Sequence, residues 1–178
     1  MPVIIDAPVR VGLLDIAGKP ATVYGTDAVV GEPAPSFTVV KDGWTSVQPI
    51  EEYRGKVQIL AAVPSVDTDT CDRETRRFNQ EASALSEDIV IHVISADFPF
   101  AQKRWCAAAG VERVQLFSDV LETDFALKYG LLIKERRYLR RAVFIVDREG
   151  VVRYAAYMPA LGVEPNYDEV MAAAKALL

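Results

Sequence analysis

The sequence holds one histidine and two cysteines in 178 residues. No group of Cys, His and carboxylate residues has metal-ligand spacing, and no glycine-rich phosphate loop appears, so neither a metal nor a nucleotide cofactor is expected. The lone histidine, His92, falls inside the apolar run IVIHVIS and reads as part of a buried strand. Cys71 and Cys106 form neither a CxxC pair nor the dense framework of a small secreted scaffold, and a cycling pair suits a reducing compartment. No apolar run approaches the roughly 20 residues that span a bilayer, and no basic and apolar signal segment opens the chain. A cytoplasmic protein is expected. A formal net charge of -5 without a basic stripe argues against nucleic acid or an anionic membrane as partner.

What is present suits one compact domain over residues 1–178, since 51% hydrophobic and 25% charged residues supply a sizeable core. Residues 1 to about 26 carry short β-rich runs (VIID, VRVGLL, ATVYG) that predict an amino-terminal hairpin capping or extending a sheet. GEPAP at 31–35 is a proline-rich connection, and SFTVVKDGWTSVQP predicts a second hairpin turning at Asp42 and Gly43. From Val57 the order becomes strand 57–63, helix from about 71 to 85, strand 88–96, and helix from Pro99 to about Ala109. That alternation implies parallel strands with crossover helices. Residues 114–119 suggest a short strand and 121–130 a helix ended by Gly130. Residues 141–157 suggest a hairpin turning at DREG, and 166–178 a helix capped by Asn166.

The segment PSVDTDTC, 64–71, sets a thiol at the junction of a strand and a helix. The run Val57–Pro64 is uncharged and closed by proline, and Asp67, Thr68 and Asp69 are each acceptable N-caps for the helix expected from about 71. Cys71 then sits in a first turn at the carboxyl end of a strand, where free backbone N–H groups and the helix dipole favour the thiolate. On residue type alone two readings stand, a buried inert thiol or a nucleophile. Arg73, Arg76 and Arg77 lie close in sequence and favour ionisation, whereas Asp69, Asp72 and Glu74 lie as close and oppose it wherever they face the sulfur. A cation from elsewhere in the chain is therefore required.

The pattern proline, three residues, threonine, two residues, cysteine resembles the active-site loop of the peroxiredoxins. SADFPFAQKRWC, 95–106, resembles the stretch carrying the second cysteine of their thiol peroxidase branch, the atypical two-cysteine peroxiredoxins. VGEPAPSFTVV (30–40), YGLLIKERRYLRRAVFIVDREG (129–150) and EPNYDEV (164–170) extend the similarity over most of the chain. The resemblance implies an α/β thioredoxin-like fold, a central mixed sheet flanked by helices, here with an added N-terminal β-hairpin. It further implies reduction of alkyl hydroperoxides and hydrogen peroxide, recycling by thioredoxin or a similar dithiol, and a homodimer.

The same resemblance assigns roles. Cys71 is the peroxidatic thiol and Cys106 the thiol that resolves its sulfenic acid as an intramolecular disulfide. Thr68 bonds the sulfur or the peroxide, beside a plain N-cap role, and Pro64 shields the site from water. Arg141 is the cation. Its neighbour Arg140 is the register alternative, because successive strand residues face opposite ways, and Arg136, Arg137 and Arg140 otherwise form a solvated basic cluster. Phe98, Phe100 and Trp105 are either core or an apolar wall for organic hydroperoxides. The chain departs from the family pattern at Thr70, where valine is common, and at Asp72, where alanine is common. Disulfide closure needs Cα atoms within about 7 Å, so one or both helix ends are expected to unwind in the cycle. Two other functions compete: a cysteine hydrolase using Cys71 with His92 as base, and a non-catalytic thioredoxin-like binding or holdase domain.

Overall fold

The computed structural model describes residues 5–178, so the run VIID falls partly outside the described residues. A seven-stranded mixed sheet forms the centre. Two adjacent interior strands, β5 (Val57–Ala62) and β10 (Ala142–Val146), have every residue buried, as strands covered on both faces must. The order is β11 (Val152–Tyr157), β10, β5, β6 (Ile89–Ser95), β7 (Gln115–Ser118), β3 (Val39–Lys41) and β4 (Thr45–Val47). β5, β6 and β7 run parallel, while β10 and β3 join them antiparallel on either side.

The crossover helices are α2 (Asp69–Ala82) and α3 (Pro99–Ala109), followed later in the chain by the carboxyl-terminal α5 (Tyr167–Lys175). Two apolar layers pack against the sheet. One gathers Ile59, Ala61, Val93, Val143 and Ile145 with Cys71, Phe78, Val170 and Met171 from the α2 and α5 side. The other gathers Leu60, Ala62, Ile94 and Phe144 with Phe37, Ile50, Phe125 and Tyr129, the last two contributed by α4 (Asp124–Lys128) and the turn after it. Alternation along each strand accounts for the division, with odd positions of β5 facing one layer and even positions the other.

The expected hairpins, the helix from Pro99 and the Asn166-capped helix are present. The hairpin β1 (Val9–Ile16) and β2 (Lys19–Tyr24) extends a sheet as expected, a separate four-stranded one completed by β8 (Leu132–Ile133) and β9 (Tyr138–Leu139). Two helices differ from expectation. The one-turn helix α1 (Pro49–Glu52), opened by proline, was not anticipated. The helix expected over 121–130 shrinks to five residues because Asp119 accepts hydrogen bonds from the N–H groups of Phe125 and Ala126 and fixes its start there. It ends as expected, Gly130 taking the left-handed φ of 71° that favours glycine.

Candidate active site

Pro64 and the turn 65–68 carry the chain from β5 into α2. Thr68 is the N-cap, its Oγ1 accepting from the Cys71 N–H at 3.2 Å and donating to Ser65 O at 3.3 Å. Among the bonds of this structure the hydroxyl serves the backbone of Cys71, not its sulfur. Pro64 is buried, and Cys71 lies in the first turn with no exposed surface.

Arg141 meets that sulfur from the neighbouring strand. It directly precedes β10, is 1% exposed, and donates from Nη2 to Cys71 Sγ at 3.2 Å. Its other nitrogens are held too, Nε on Leu161 O at 3.0 Å and Nη1 on Glu74 Oε2 in a fully buried ion pair. Burial alone would weaken the Arg141 proton affinity, but Glu74 and Cys71 outweigh it and raise it. Arg140 takes the opposite face, stacking its guanidinium 4.4 Å from the Tyr157 ring and pairing with Asp27 at 3.5 Å. It is 7% exposed, which corrects its expected place in a solvated cluster, while Arg136 and Arg137 are exposed as that reading had them.

None of the three arginines near Cys71 in sequence bonds its sulfur. Arg73 pairs with Glu164 at 3.5 Å, Arg76 with Asp72 at 2.8 Å, and Arg77 with Glu81 at 2.8 Å. Of the nearby acids, Asp72 is diverted as well, whereas Glu74 shares Arg141 with the sulfur. Asp72 is held by Arg76, which lowers its pKa, and accepts from Trp105 Nε1 at 3.0 Å.

Cys106 is a free, half-buried thiol whose pKa burial raises. It lines a cavity of about 410 Å³ with Gln102, Tyr53 and Leu116, on the side of α3 turned toward β7 and the 41–42 turn, whereas Trp105 faces α2. The two cysteines are unbonded and lie on separate helices. The aromatics do not form one wall. Phe98 and Phe100 are 58% and 67% exposed and flank Trp44, with ring centroids 6.2 and 5.6 Å away, while Trp105 packs on α2 beneath Arg76.

His92 lies on the face opposite Cys71, in edge-on contact with Tyr53 and Phe117 at centroid distances of 4.5 and 5.0 Å. It is no base for Cys71, so the hydrolase reading has no geometry to support it.

One residue that sequence reasoning missed joins the two cysteine-bearing segments. Asp97 accepts from Ser65 Oγ at 2.7 Å, from the Val66 N–H at 2.8 Å and from Ser95 Oγ at 2.7 Å, tying the loop before α2 to the loop before α3. A lone aspartate just before a proline-started helix was its only signal. Glu74 was missed in its role as the partner of Arg141, being weighed only as a nearby acid.

A buried thiol in a helix first turn, met by a buried arginine, over a parallel sheet with an antiparallel flank, defines a class of thiol-based redox proteins. The chain matches the AhpC/TSA family over residues 30–155 and belongs to it. Among curated relatives, a thiol peroxidase of Oceanobacillus iheyensis is 47% identical over 152 residues, covering 85% of this chain and 92% of its own length. A thiol peroxidase of Bacillus subtilis is 44% identical over 161 residues, covering 90% and 95%. A crystal structure of a peroxiredoxin-like protein from Aquifex aeolicus superposes with a TM-score of 0.84 at 37% identity, covering 93% and 96%. Among the described residues no cluster could hold a metal ion, and no helix is long and apolar enough to cross a membrane.

Proposed function

We propose that the protein is a thiol-dependent peroxidase that reduces hydroperoxides through Cys71 and Cys106. The observation that carries this reading is the buried hydrogen bond from Arg141 Nη2 to Cys71 Sγ at the start of α2. A guanidinium keeps its charge at any working pH, so it supports negative charge on the sulfur and donates to a peroxide oxygen as the O–O bond breaks. The Cys71 thiolate attacks the terminal oxygen of ROOH, the O–O bond cleaves, and the departing alkoxide takes a proton to leave as alcohol, or as water from hydrogen peroxide. Cys71 becomes a sulfenic acid. The Cys106 sulfur then displaces hydroxide from that sulfenic sulfur, water leaves, and an intramolecular disulfide results. A dithiol reductant, thioredoxin or similar, reopens it by exchange.

Thr68 orients the first turn of α2 and turns its hydroxyl to bound peroxide, and Pro64 keeps water from the sulfur. Phe98, Phe100 and Trp105 supply apolar contacts for organic substrates once α3 moves. Such movement is part of the proposal, because Cys71 is fully buried and Cys106 faces away from α2. The chain works as one domain, in the cytoplasm, as a homodimer.

The test is intact mass with peptide mapping after one equivalent of cumene hydroperoxide is added to fully reduced protein. Loss of two hydrogens, with a peptide linking Cys71 to Cys106 inside one chain, is the expected result. An unchanged mass would leave a domain that has the fold without the activity, and a linkage between chains would overturn the intramolecular cycle.

A further inference from the structure

The Cys71 thiol and the Glu74 carboxyl share one cation, Arg141. Glu74 comes three residues after Cys71 on α2, so both side chains point to the same side of the helix, toward β10. Glu74 has no exposed surface, its Oε2 accepts from Arg141 Nη1, and its Oε1 is buried without a hydrogen-bond partner. Arg141 gives its remaining fork nitrogen, Nη2, to Cys71. A fully buried carboxylate with one oxygen unpaired by the described residues is costly to ionise. A thiolate on the same guanidinium makes it costlier.

We propose that Glu74 is a positioning residue for the peroxidatic thiol, holding Arg141 through Oε2 and competing with the Cys71 sulfur for its charge, so that a proton bound at Glu74 releases that charge to the thiolate. This inference rests on the peroxidatic role proposed for Cys71. The geometry gives the competition its form. With Glu74 ionised, one guanidinium faces two anions and the buried cluster carries net negative charge. With Glu74 protonated, the cluster is a neutral thiolate–guanidinium pair, and the acid still accepts from Nη1 and keeps the fork in place.

The surrounding groups point the same way. Glu164, in the segment before α5, adds a like charge to Glu74, and its own partners are Arg73 at 3.5 Å and the Tyr167 hydroxyl at 2.7 Å. Tyr167, on α5, is raised by burial first and then by its bond to Glu164, so it stays a neutral phenol. Arg77 is directed to Glu81 and Asp168, leaving Arg141 as the cation that faces Glu74. Burial pushes the Glu74 carboxyl up to about 7 against the pull of Arg141, which places its proton in the range where a cell holds its pH. Two sites that share one charge titrate as a pair, each spreading the other's curve. Loss of the thiolate charge on oxidation or alkylation therefore lets Glu74 give up its proton.

The test is the ultraviolet thiolate absorbance of full-length Cys106→Ser protein, titrated through neutral pH with and without Glu74→Gln. Glutamine still accepts from Nη1 but carries no charge. The expected result is a broad parent curve that becomes a single-proton curve displaced to lower pH, with the thiolate fraction at mildly acidic pH raised about threefold or more, a change typical of one charge removed from a coupled pair. A Glu74→Gln curve that superimposes on the parent, or moves to higher pH, would overturn the proposal. The unsubstituted protein provides a second readout. On alkylation of Cys71 with iodoacetamide, the infrared band of a protonated carboxyl should weaken as Glu74 ionises, and a constant band would equally overturn it. Both readouts omit peroxide, so a failure of the charge competition is told apart from a failure of the peroxidase reading, which the peroxide titration alone decides.

Discussion

Replacing His92 by leucine is expected to make the fold more resistant to acid by an amount set by one buried ring. His92 is 0% exposed, neither ring nitrogen has a hydrogen-bond partner, and burial lowers its pKa to about 3. In the unfolded chain a histidine titrates near 6.5, so below that pH the unfolded state gains a proton that the folded state refuses. Stability is therefore lost as pH falls from about 6.5 toward 3, at about 1.4 kcal/mol per unit. Between pH 7 and pH 5 the histidine term amounts to about 2 kcal/mol. Glu74 and Asp119 work in the opposite sense. Burial raises both to about 7, so the folded state holds protons that the unfolded state releases above the ordinary carboxylate range, and their contribution falls as pH rises toward 7. Because the two carboxyls are common to both proteins, the difference between parent and His92→Leu isolates the ring. Urea unfolding at pH 7 and pH 5 should show that difference growing in favour of leucine by about 2 kcal/mol, with peroxidase turnover retained. An equal difference at both pH values would refute the buried, neutral histidine.

Arg141→Lys keeps a charge but cannot reach Leu161 O, Glu74 and Cys71 together, so single-turnover peroxide reduction should fall about 100-fold, as when one preorganised donor is removed. A rate near that of the parent in stopped-flow fluorescence would refute the fork's role. Thr68→Val removes the cap on the Cys71 N–H and should cost about 1 kcal/mol in urea unfolding, most of which Thr68→Ser recovers. Equal midpoints for valine and threonine would count against the cap. Asp97→Ala strands Ser65 Oγ, the Val66 N–H and Ser95 Oγ and should cost about 2–3 kcal/mol. Hydrogen exchange should then rise in both the 64–68 turn and the start of α3, and a rise in only one would refute the coupling.

The sequence shows most plainly those parts of this protein where a local signal and the tertiary arrangement agree. The run Val57–Ala62 reads as a buried strand because it is uncharged and closed by proline, and all six residues are indeed buried, while Pro99 opens α3 as expected. Strand alternation allowed only one of Arg140 and Arg141 to reach the sulfur, and the resemblance to the peroxiredoxins chose Arg141. What stayed illegible is non-local. β8 and β9 are two residues each, too short for any periodicity, and they exist because β2 offers them an edge. The Glu74–Arg141 pair spans 67 positions, and nothing near Glu74 distinguishes it from Asp69 or Asp72, which turn to solvent or to Arg76. The aromatics at 98 and 100 read as core by residue type, yet the helix they open presents them outward beside Trp44.

The position of Cys106 bears on how the proposed cycle is timed. Trp105 and Arg76 clasp α3 to α2, through Trp105 Nε1 to Asp72 and Arg76 Nη1 to Ala109 O at 3.1 Å, and this clasp keeps Cys106 turned toward its cavity. Both contacts are at least partly exposed, so each is worth only about 1 kcal/mol net. Releasing both contacts costs about 2 kcal/mol, so the part of α3 that carries them opens at a few per cent, while the buried Gln102 still holds the helix to Phe117 O at 2.8 Å. By contrast, the Cys71 sulfur is fixed by a fully buried fork whose loss would strand a charge. In the proposed cycle the attacking thiol is the fully buried one and the resolving thiol the half-buried one. That division preserves the geometry of attack on peroxide while leaving disulfide closure to the part of α3 that opens.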